Sequence, residues 1–273
     1  MSKPLISIVT ISYNQRQYLQ QAIESVLSQK SEDIEYIVVD AGSTDGSLDL
    51  ISAYGDKIDH VLSGPDNGPA DGLNKGFARA SGKVGYFLNS DDFLMPHSIQ
   101  AMQQFWTGLP RANVLMCGGW MVDRRGLPLR ELHPTGRTLH ELLNGSRSMM
   151  QQGLSFRLDA FRKINGFNVA NRTCWDLELL CGLLQLGTEA VVLPSRIGAF
   201  RLHEDSLTGG AAGERHQAKY EEDFARLKHE FGVEAESRTN WPRLINATWH
   251  LVDRLLPSRM AKRFEADCGN YER

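Results

Sequence analysis

Polar side chains follow apolar runs at several places in the first hundred residues of this 273-residue chain. They lie at residues 10–14 after "LISIV", at residues 40–45 after "EYIVV", and at residues 89–92 after "VGYFL". Asp91 and Asp92 suit a hard divalent cation, Mg²⁺ or Mn²⁺, which would neutralise the phosphate oxygens of a nucleotide. Both reach one site only if the chain turns, which the segment Phe93–Pro96 can provide. The alternative is ordinary capping of the helix predicted after them.

Two more carboxylates and a histidine have the surroundings of reactive groups. Asp71 precedes "GLNKG", where Asn74 and Lys75 can help it bind a sugar or a phosphate; a solvated helix start is the alternative. Asp176 begins a Leu-rich segment beside a tryptophan, and partial burial there would raise its pKa toward that of a general base. A carboxylate interacting with a helix dipole explains it equally well. His203 can be a metal ligand, a phosphate contact or a surface residue.

Asp40 begins the stretch "DAGST", which shares its pattern with the active-site triplet of aspartic proteases. Those enzymes need two aspartates that share a proton. The second candidate, Asp267-Cys268-Gly269, lies in a polar tail without a predicted strand, so we exclude this function. The P-loop, dinucleotide-binding and nucleophile-elbow motifs are also absent. Asp40 is therefore interpreted as a ligand-binding residue at the end of a strand.

The apolar runs predict the elements that bring these groups together. Strands are predicted over Leu5–Ser12, Glu35–Asp40, His60–Leu62 and the run "VGYFLN", with helices between them, the first capped by Asn14. Such strands, buried on both faces, predict an α/β fold with a doubly wound, mostly parallel sheet and flanking helices. Ligands bind at the carboxyl ends of the strands in these sheets, where the polar groups cluster.

The second half of the chain is less regular. Strands are predicted over "VLMCGGWMVD", "LSFR" and "AVVLP", and helices over "WDLELLCGLLQLG" and "KYEEDFARLKHEFG". We predict one α/β domain over residues 1–210 and a C-terminal helical extension over 211–273. Within the extension, residues 241–263 are amphipathic and basic. They can contact the cytoplasmic surface of a membrane, or pack on the domain.

Composition excludes several classes of protein. The formal net charge of −3 gives no overall field that would attract nucleic acid. The chain has no apolar run of the ~20 residues that a membrane helix needs, and no signal peptide. Its four cysteines have no metal-site spacing, so we expect free thiols and a cytoplasmic location.

Taken together, the motifs resemble those of the family 2 glycosyltransferases, inverting enzymes of the GT-A fold. The similar segments are "SIVTISYNQRQYLQQAIESVLSQ", "EYIVVDAGSTDGS", "NGPADGLNKGFARASGKVGYFLNSDD", "QQGLSFRLDAFRKINGFN" and "WDLELLCGLLQLG". They occur in the family's order and cover about residues 5–205. The resemblance implies a donor-binding half over about 1–112 and an acceptor half over 113–210.

The resemblance also implies a role for each candidate residue. Residues expected to contact the nucleotide sugar, with a UDP-sugar favoured, are Thr10, Tyr13, Asn14, Asp40, Asp71, Asn74, Lys75, Asn89 and Ser90. Asp91, Asp92 and His203 would hold the divalent metal, Mn²⁺ or Mg²⁺, on the diphosphate. Asp176 would take the proton from the acceptor hydroxyl, as the catalytic base.

Three positions depart from the pattern of the family. Ala41 stands where many members have a second Asp, and Asn89 replaces the first Asp of Asp-x-Asp. Cys174-Trp175-Asp176 lacks the Glu that often precedes the base. The expected function is still metal-dependent, inverting sugar transfer to a glycan or lipid-linked acceptor, in the synthesis of cell-surface polysaccharide. The alternatives are a sugar-nucleotide pyrophosphorylase and a non-catalytic carbohydrate-binding paralogue.

Overall fold

In the computed structural model, the described residues are 3–144, 148–204, 212–233, 263–264 and 266–267. The first ninety residues form parallel strands with intervening helices. These are β1 (Ile6–Ser12), α1 (Arg16–Leu27), β2 (Ile34–Asp40), α2 (Ser47–Ala53), β3 (His60–Ser63), α3 (Pro69–Arg79) and β4 (Val84–Asn89). β1 lies between β2 and β4 and is parallel to both, with Ser12 opposite Asp40 and Ile11 opposite Asn89. The polar ends of three strands therefore lie at one edge of the sheet.

The second half extends the same sheet. Its elements are β5 (Phe93–Leu94), α4 (Ser98–Gly108), β6 (Val114–Val122), β7 (Pro128–Leu132), α5 (Leu139–Leu143), β8 (Leu154–Arg157), α6 (Leu158–Lys163), α7 (Trp175–Leu184), β9 (Val191–Arg201) and α8 (Ala212–Glu230). The order across the sheet is β3-β2-β1-β4-β8-β6-β9-β5, and β7 pairs with β6. The predicted doubly wound α/β sheet is confirmed, although β8 joins β4 and β6 by antiparallel pairing.

Helices cover both faces of the sheet, and each face has its own apolar core. On one face Val9, Phe77 and Phe87 share a cluster with residues of α6 and α7. On the other face Ile8 and Tyr86 share a cluster with residues of α1 and α4. Alternate residues of a strand point to opposite faces, so every second residue of β1 and β4 enters the same cluster. This double burial explains why the strands are continuous apolar runs.

Several local predictions need correction. Asn14 does not cap α1; it has a left-handed backbone (φ 51°), and Gln15 is the N-cap residue. The N–H of Arg16 instead donates to Asp45 Oδ2 in the loop after β2 (2.8 Å). The chain turns at Ser90 and Asp91 and again at Pro96 and His97, whereas Phe93 and Leu94, which were expected to turn, pair with β9. β9 itself continues past Pro194 as far as Arg201, beyond the predicted strand.

The predicted extension is described only in part. α8 packs on the rest of the fold through the fully buried Leu227. Most of the predicted membrane-contact segment, 241–263, lies outside the described residues. In the part of the chain that is described, no helix has the length and apolarity needed to cross a bilayer. Cys117, Cys174 and Cys181 are buried free thiols, as predicted, and Cys268 lies outside the described residues.

Candidate functional site

Asp91 and His203 meet at the edge of the sheet where β4 and β9 end. Their side chains are joined by a contact of 3.1 Å between His203 Nε2 and Asp91 Oδ2, across 112 residues of sequence. The pairing of β5 with β9 brings the two strand ends together, with Phe93 opposite Ala199. The His203 side chain is buried, whereas that of Asp91 is 20% exposed. The structure thus brings together two of the three residues predicted to hold a metal.

Asp92 points away from that pair and into the protein. It is buried, its Oδ1 accepts the N–H of Arg201 (2.8 Å), and its Oδ2 accepts a hydrogen bond from Gln152 Nε2 (2.8 Å). Burial, and then the charge of Asp91, raises the pKa of Asp92 well above its usual range. Because Asp92 is enclosed by protein donors, Asp91 is the carboxylate that faces outward.

Arg201 is a residue of this region that the sequence did not identify. Its side chain is buried, its Nε donates to the carbonyl of Asp91 (2.7 Å), and its Nη1 donates to the carbonyl of Arg124 (3.0 Å). The guanidinium also stacks on the rings of Tyr18 and Phe93, at 4.8 and 5.3 Å from their centroids. Arg201 therefore fixes the backbone on which the Asp91 side chain stands.

The donor atoms at this edge fit a metal that shares its coordination with a ligand. Among the described residues there is no group of three His, Cys, Asp or Glu side chains that could hold an ion alone. One carboxylate leaves several positions to phosphate oxygens and water, which is how proteins commonly bind Mg²⁺, and the imidazole adds one nitrogen donor. A closed four-ligand site of the zinc type does not fit these residues.

The loops after β1 and β2 form a joined surface. Asn14 Oδ1 accepts the N–H of Thr44 (2.8 Å), and the N–H of Asn14 donates to Ser43 Oγ (2.8 Å). Next to this junction the Tyr13 ring is 61% exposed. An exposed ring on a rigid loop offers a flat surface on which a base can stack. Asn14 thus shapes the loop that presents Tyr13.

Two residues predicted to contact the base are buried. Asp40 accepts hydrogen bonds from Gly42 N (3.0 Å), Ser43 N (2.7 Å) and Ser43 Oγ (2.6 Å), so its carboxylate organises its own turn. The Thr10 hydroxyl accepts a hydrogen bond from the Tyr36 hydroxyl inside the core (3.1 Å). Neither side chain has an exposed atom to offer, and their contacts with a base stay predictions.

The three candidates on α3 have different surroundings. Asp71 accepts hydrogen bonds from the N–H of Asn67 (2.8 Å) and from Lys75 Nζ (3.1 Å). The N–H of Asn67 and then Lys75 hold the pKa of Asp71 below its usual range, against the effect of burial. Asn74 exchanges two hydrogen bonds with the backbone of Phe167, each 2.9 Å long. Asn74 thus joins α3 to the loop that leads toward α7, and Asp71 with Lys75 remains at the surface.

Asn89 and Ser90 continue from β4 into the turn that carries Asp91. Ser90 is buried, and its N–H donates to the carbonyl of Ile11 (3.1 Å). Asn89 Nδ2 donates to Gln151 Oε1 (3.0 Å). Gln151 and Gln152 begin a short 3-10 turn before β8. Neither glutamine was among the predicted site residues, because their partners Asn89 and Asp92 lie about sixty residues away in the sequence.

Asp176 stands in the first turn of α7, half-buried. Burial raises its pKa to about 6, although the N–H of Leu177 donates to its Oδ1 (2.8 Å) and opposes the shift. The neighbouring Trp175 ring packs 5.7 Å from the ring of Phe87 on β4. Arg172, in the loop before α7, donates to the carbonyl of Asn67 in the loop before α3. These contacts pack the start of α7 against β4 and join the loop before α7 to the loop before α3.

Known sequences that are similar to this chain are glycosyltransferases. The family model of Glycosyl transferase family 2 matches residues 7–164. A teichuronic acid biosynthesis glycosyltransferase of Bacillus subtilis, TuaG, is 40% identical over 214 residues, covering 76% of this chain and 82% of the relative. An uncharacterized glycosyltransferase of Rickettsia felis is 31% identical over 206 residues and covers 71% of this chain. This chain spans 34% of the length of the Rickettsia protein.

Solved structures share the fold at low sequence identity. The TarS protein of S. aureus in complex with UDP-GlcNAc superposes with a TM-score of 0.63 at 17% identity, covering 83% of this chain and 73% of TarS. The mannosyltransferase PcManGT of Pyrobaculum calidifontis, in complex with GDP-Man and Mn²⁺, has a TM-score of 0.63 at 13% identity. The superposition covers 99% of this chain and 77% of the PcManGT chain. The likeness establishes the GT-A-type α/β fold.

Proposed function

The chain belongs to glycosyl transferase family 2, and from this premise we propose that it moves a sugar from a nucleoside-diphosphate sugar to a hydroxyl of a glycan or lipid-linked acceptor. The name of the Bacillus relative supports a role in the synthesis of cell-surface polysaccharide. A sugar-nucleotide pyrophosphorylase is disfavoured by the family. The observation that carries the proposal is the meeting of Asp91 with His203 at the carboxyl edge of the sheet, on the turn that follows Asn89.

We assign the donor to the surface formed by the loops after β1, β2 and β4. The exposed Tyr13 ring would stack on the base, beside the loop that Asn14 and Asp40 shape. Asp71 and Lys75 would contact the sugar or phosphate from α3. The UDP-GlcNAc bound by TarS supports a UDP-sugar as donor, and the GDP-Man bound by PcManGT keeps a guanosine donor as the competing choice.

Asp91 and His203 are the residues that would hold Mn²⁺ or Mg²⁺. Asp92, bonded to Arg201 and Gln152 inside the protein, would instead hold the turn that carries Asp91. The Mn²⁺ in PcManGT supports this part of the proposal. When bound, the ion would supply positive charge to the diphosphate that leaves. Activity that persists in excess EDTA, after dialysis against the chelator, would remove the metal from the proposal.

Asp176 would act as the general base of a single-displacement reaction. The acceptor oxygen forms the new bond to the anomeric carbon while the bond from that carbon to the diphosphate breaks. The proton of the acceptor hydroxyl passes to Asp176, and attack from behind inverts the anomeric centre. Partial burial supports this role, because it gives the carboxylate a pKa of about 6 and so a greater affinity for the proton.

The substitution Asp176→Asn tests the base. Donor binding should persist, while turnover should fall about a hundredfold or more, the usual contribution of general-base catalysis. Asp159→Asn is the matched control, since Asp159 Oδ1 likewise accepts the N–H of the next residue in a first helical turn, at 2.9 Å. Wild-type turnover in Asp176→Asn would remove the base assignment. Absence of Mn²⁺-dependent hydrolysis of any nucleotide sugar by the wild type would favour the non-catalytic paralogue.

The location is also part of the proposal. We place the chain in the cytoplasm, with residues 241–263 contacting the inner face of the membrane, where a lipid-linked acceptor would lie. The domain over residues 1–210 would catalyse the reaction, and the extension over 211–273 would make the contact with the membrane. In a flotation experiment the full chain should rise with anionic liposomes. A chain truncated before Trp241 should stay in the unbound fraction. Equal flotation of both would contradict the membrane contact.

A further inference from the structure

A short C-terminal segment lies against the sheet beside the candidate site. Its residues Arg263, Phe264 and Asp267 belong to a helical stretch and are spaced three and four residues apart, so they share one face of it. On that face Asp267 meets Trp120 of β6, across 147 residues of sequence. We call these three residues the C-terminal clasp.

Trp120 is the centre of the contact with the clasp. Its Nε1 donates to Asp267 Oδ2 (2.9 Å), and its ring meets the ring of Phe264 edge-on, with the centroids 5.4 Å apart. The Trp120 side chain is fully buried, and a buried indole usually needs a partner for its N–H. The clasp thus gives Trp120 both an apolar contact and a hydrogen-bond acceptor.

Ion pairs join the clasp to β7 and β9 as well. Arg196 of β9 donates to Glu131 of β7, and its Nη1 also pairs with Asp267 Oδ1 (3.4 Å). Arg263 Nη1 lies 3.6 Å from the other oxygen of Glu131. The side chains of Glu131 and Asp267 are only 14% and 24% exposed, so salt screens these attractions less than it would at an open surface.

A row of paired residues leads from the clasp toward Asp91. Paired residues of neighbouring strands point to the same face, and across β7, β6, β9 and β5 they are Glu131, Trp120, Ala199 and Phe93. Because Ala199 has only a methyl group, the rings of Trp120 and Phe93 on either side of it share one buried cluster. Phe264 packs against this cluster, so the clasp closes one side of it.

Phe93 connects this cluster to the backbone of Asp91 through Arg201. The Arg201 guanidinium lies 5.3 Å from the centroid of the Phe93 ring, and its Nε donates to the carbonyl of Asp91 (2.7 Å). If the cluster opened, the Phe93 ring could shift, and the guanidinium that holds the turn at Asp91 would lose its support. Groups that orient a metal ligand typically change the affinity for the metal by about 10–100-fold.

We propose that the C-terminal clasp is a positioning element of the metal site. Docked on Trp120, it holds Phe93 and Arg201 in the arrangement that directs Asp91 toward the diphosphate. The proposal rests on the proposed function, because it takes Asp91 as a metal ligand. It gives the end of the predicted extension a part in donor binding, separate from the membrane contact proposed for residues 241–263.

Calorimetric titration of the full chain tests the clasp with the variants Phe264→Ala and Asp267→Ala. Each should weaken the affinity for Mn²⁺ at saturating UDP about three- to tenfold, less than the loss of a group that bonds the metal ligand directly. The affinity for UDP without Mn²⁺ should stay within twofold of wild type, because the loops proposed to meet the base belong to other elements. Phe264→Leu keeps an apolar contact with Trp120 and should return the Mn²⁺ affinity to within twofold of wild type.

A matched control separates positioning from a general loss of stability. Phe231, directly after α8, is also a partly buried ring that packs against a core cluster, on the opposite face of the sheet. Phe231→Ala should lower the melting temperature, as Phe264→Ala does, and leave the affinity for Mn²⁺ unchanged. An equal loss of Mn²⁺ affinity in Phe231→Ala would assign the effect to destabilisation and overturn the proposal.

Two further outcomes distinguish the clasp from the proposed function. Mn²⁺ affinities within twofold of wild type in both Phe264→Ala and Asp267→Ala overturn the clasp alone. A wild type that binds UDP equally well with and without Mn²⁺ overturns the metal site of the proposed function, and the role of the clasp with it.

Discussion

Arg226 of α8 and Glu178 of α7 form a two-pronged ion pair. Arg226 Nη2 donates to Glu178 Oε2 over 2.5 Å and Nη1 to Oε1 over 3.3 Å. The same carboxylate accepts hydrogen bonds from Asn168 (2.7 Å) and Asn171 (2.6 Å), in the loop that leads to Asp176. Against the effect of burial, these donors hold the pKa of Glu178 below its usual range. α8 thus supports the loop that leads to the proposed base.

Replacement of Arg226 by Gln should therefore affect both stability and turnover. We expect the free energy of unfolding to fall by about 1–2 kcal/mol, between the values typical of exposed and buried ion pairs. Turnover should fall while the KM for the donor stays constant, because the donor loops are on other elements. Urea denaturation and steady-state kinetics measure the two effects. Glu221→Gln, an exposed charge on the same helix that accepts a hydrogen bond from Gln217, should change neither quantity measurably.

The pH dependence of turnover should reflect Asp176. A general base has to be ionised, and burial raises the pKa of Asp176 to about 6. Turnover should rise with pH up to about 6 and then level off, and the residual rate of Asp176→Asn should lack this limb. An identical acid limb in the variant would assign it to another group. A pH–rate profile between pH 4.5 and 8.5 is the measurement.

The same residue should make the protein less stable above its pKa. A carboxyl whose pKa is higher in the folded than in the unfolded chain binds its proton more tightly when folded, so stability falls as pH rises from about 4 to about 6. Asp176→Asn removes this titration. We expect the variant to gain about 1–3 kcal/mol over wild type at pH 8, and less at pH 4.5. Urea denaturation at the two pH values compares them, and an equal difference at both would contradict the buried carboxylate.

The sequence predicted the sheet well for a physical reason. Strands buried on both faces are continuous apolar runs, so β1, β2 and β4 could be recognised without knowledge of their neighbours. β9 was predicted too short, because Pro194 and the polar residues after it belong to a strand only through pairing with distant β6. Local patterns carry no information about such pairing.

Site residues that directly follow a strand could be predicted from the sequence. Those whose orientation depends on a partner distant in the sequence could not. Asp91 and Asp92 are neighbours of the same type, and their distant partners Arg201 and Gln152, which donate to Asp92, determine which of them turns inward. Asn14 resembled a helix cap, whereas Gln15 is the N-cap residue of α1 and the N–H of Arg16 donates to Asp45 in another loop.

Replacement of Asp91 by alanine should affect the protein differently from replacement of Asp92. Asp92→Ala would remove the acceptors of the Arg201 N–H and of one hydrogen bond from Gln152 Nε2 inside the protein, so we expect a loss of about 2–4 kcal/mol in unfolding free energy. Asp91→Ala should be nearly neutral for stability but should abolish the additional rise in melting temperature when Mn²⁺ is added with UDP. Melting curves of both variants, with and without Mn²⁺ and UDP, test this. Equal behaviour of the two would contradict the division of roles.

A last prediction concerns Tyr13, whose ring is largely exposed on the loop after β1. Its side chain is 61% exposed, so Tyr13→Ala should change the unfolding free energy by less than about 0.5 kcal/mol. Loss of stacking on a base should lower the affinity for UDP about tenfold, since such contacts contribute about 1–3 kcal/mol. Leu127→Ala, an exposed apolar residue on another loop, is the matched control and should bind UDP as wild type does. Titration with UDP and with inorganic pyrophosphate distinguishes base from phosphate contacts, because only the UDP affinity should depend on the ring.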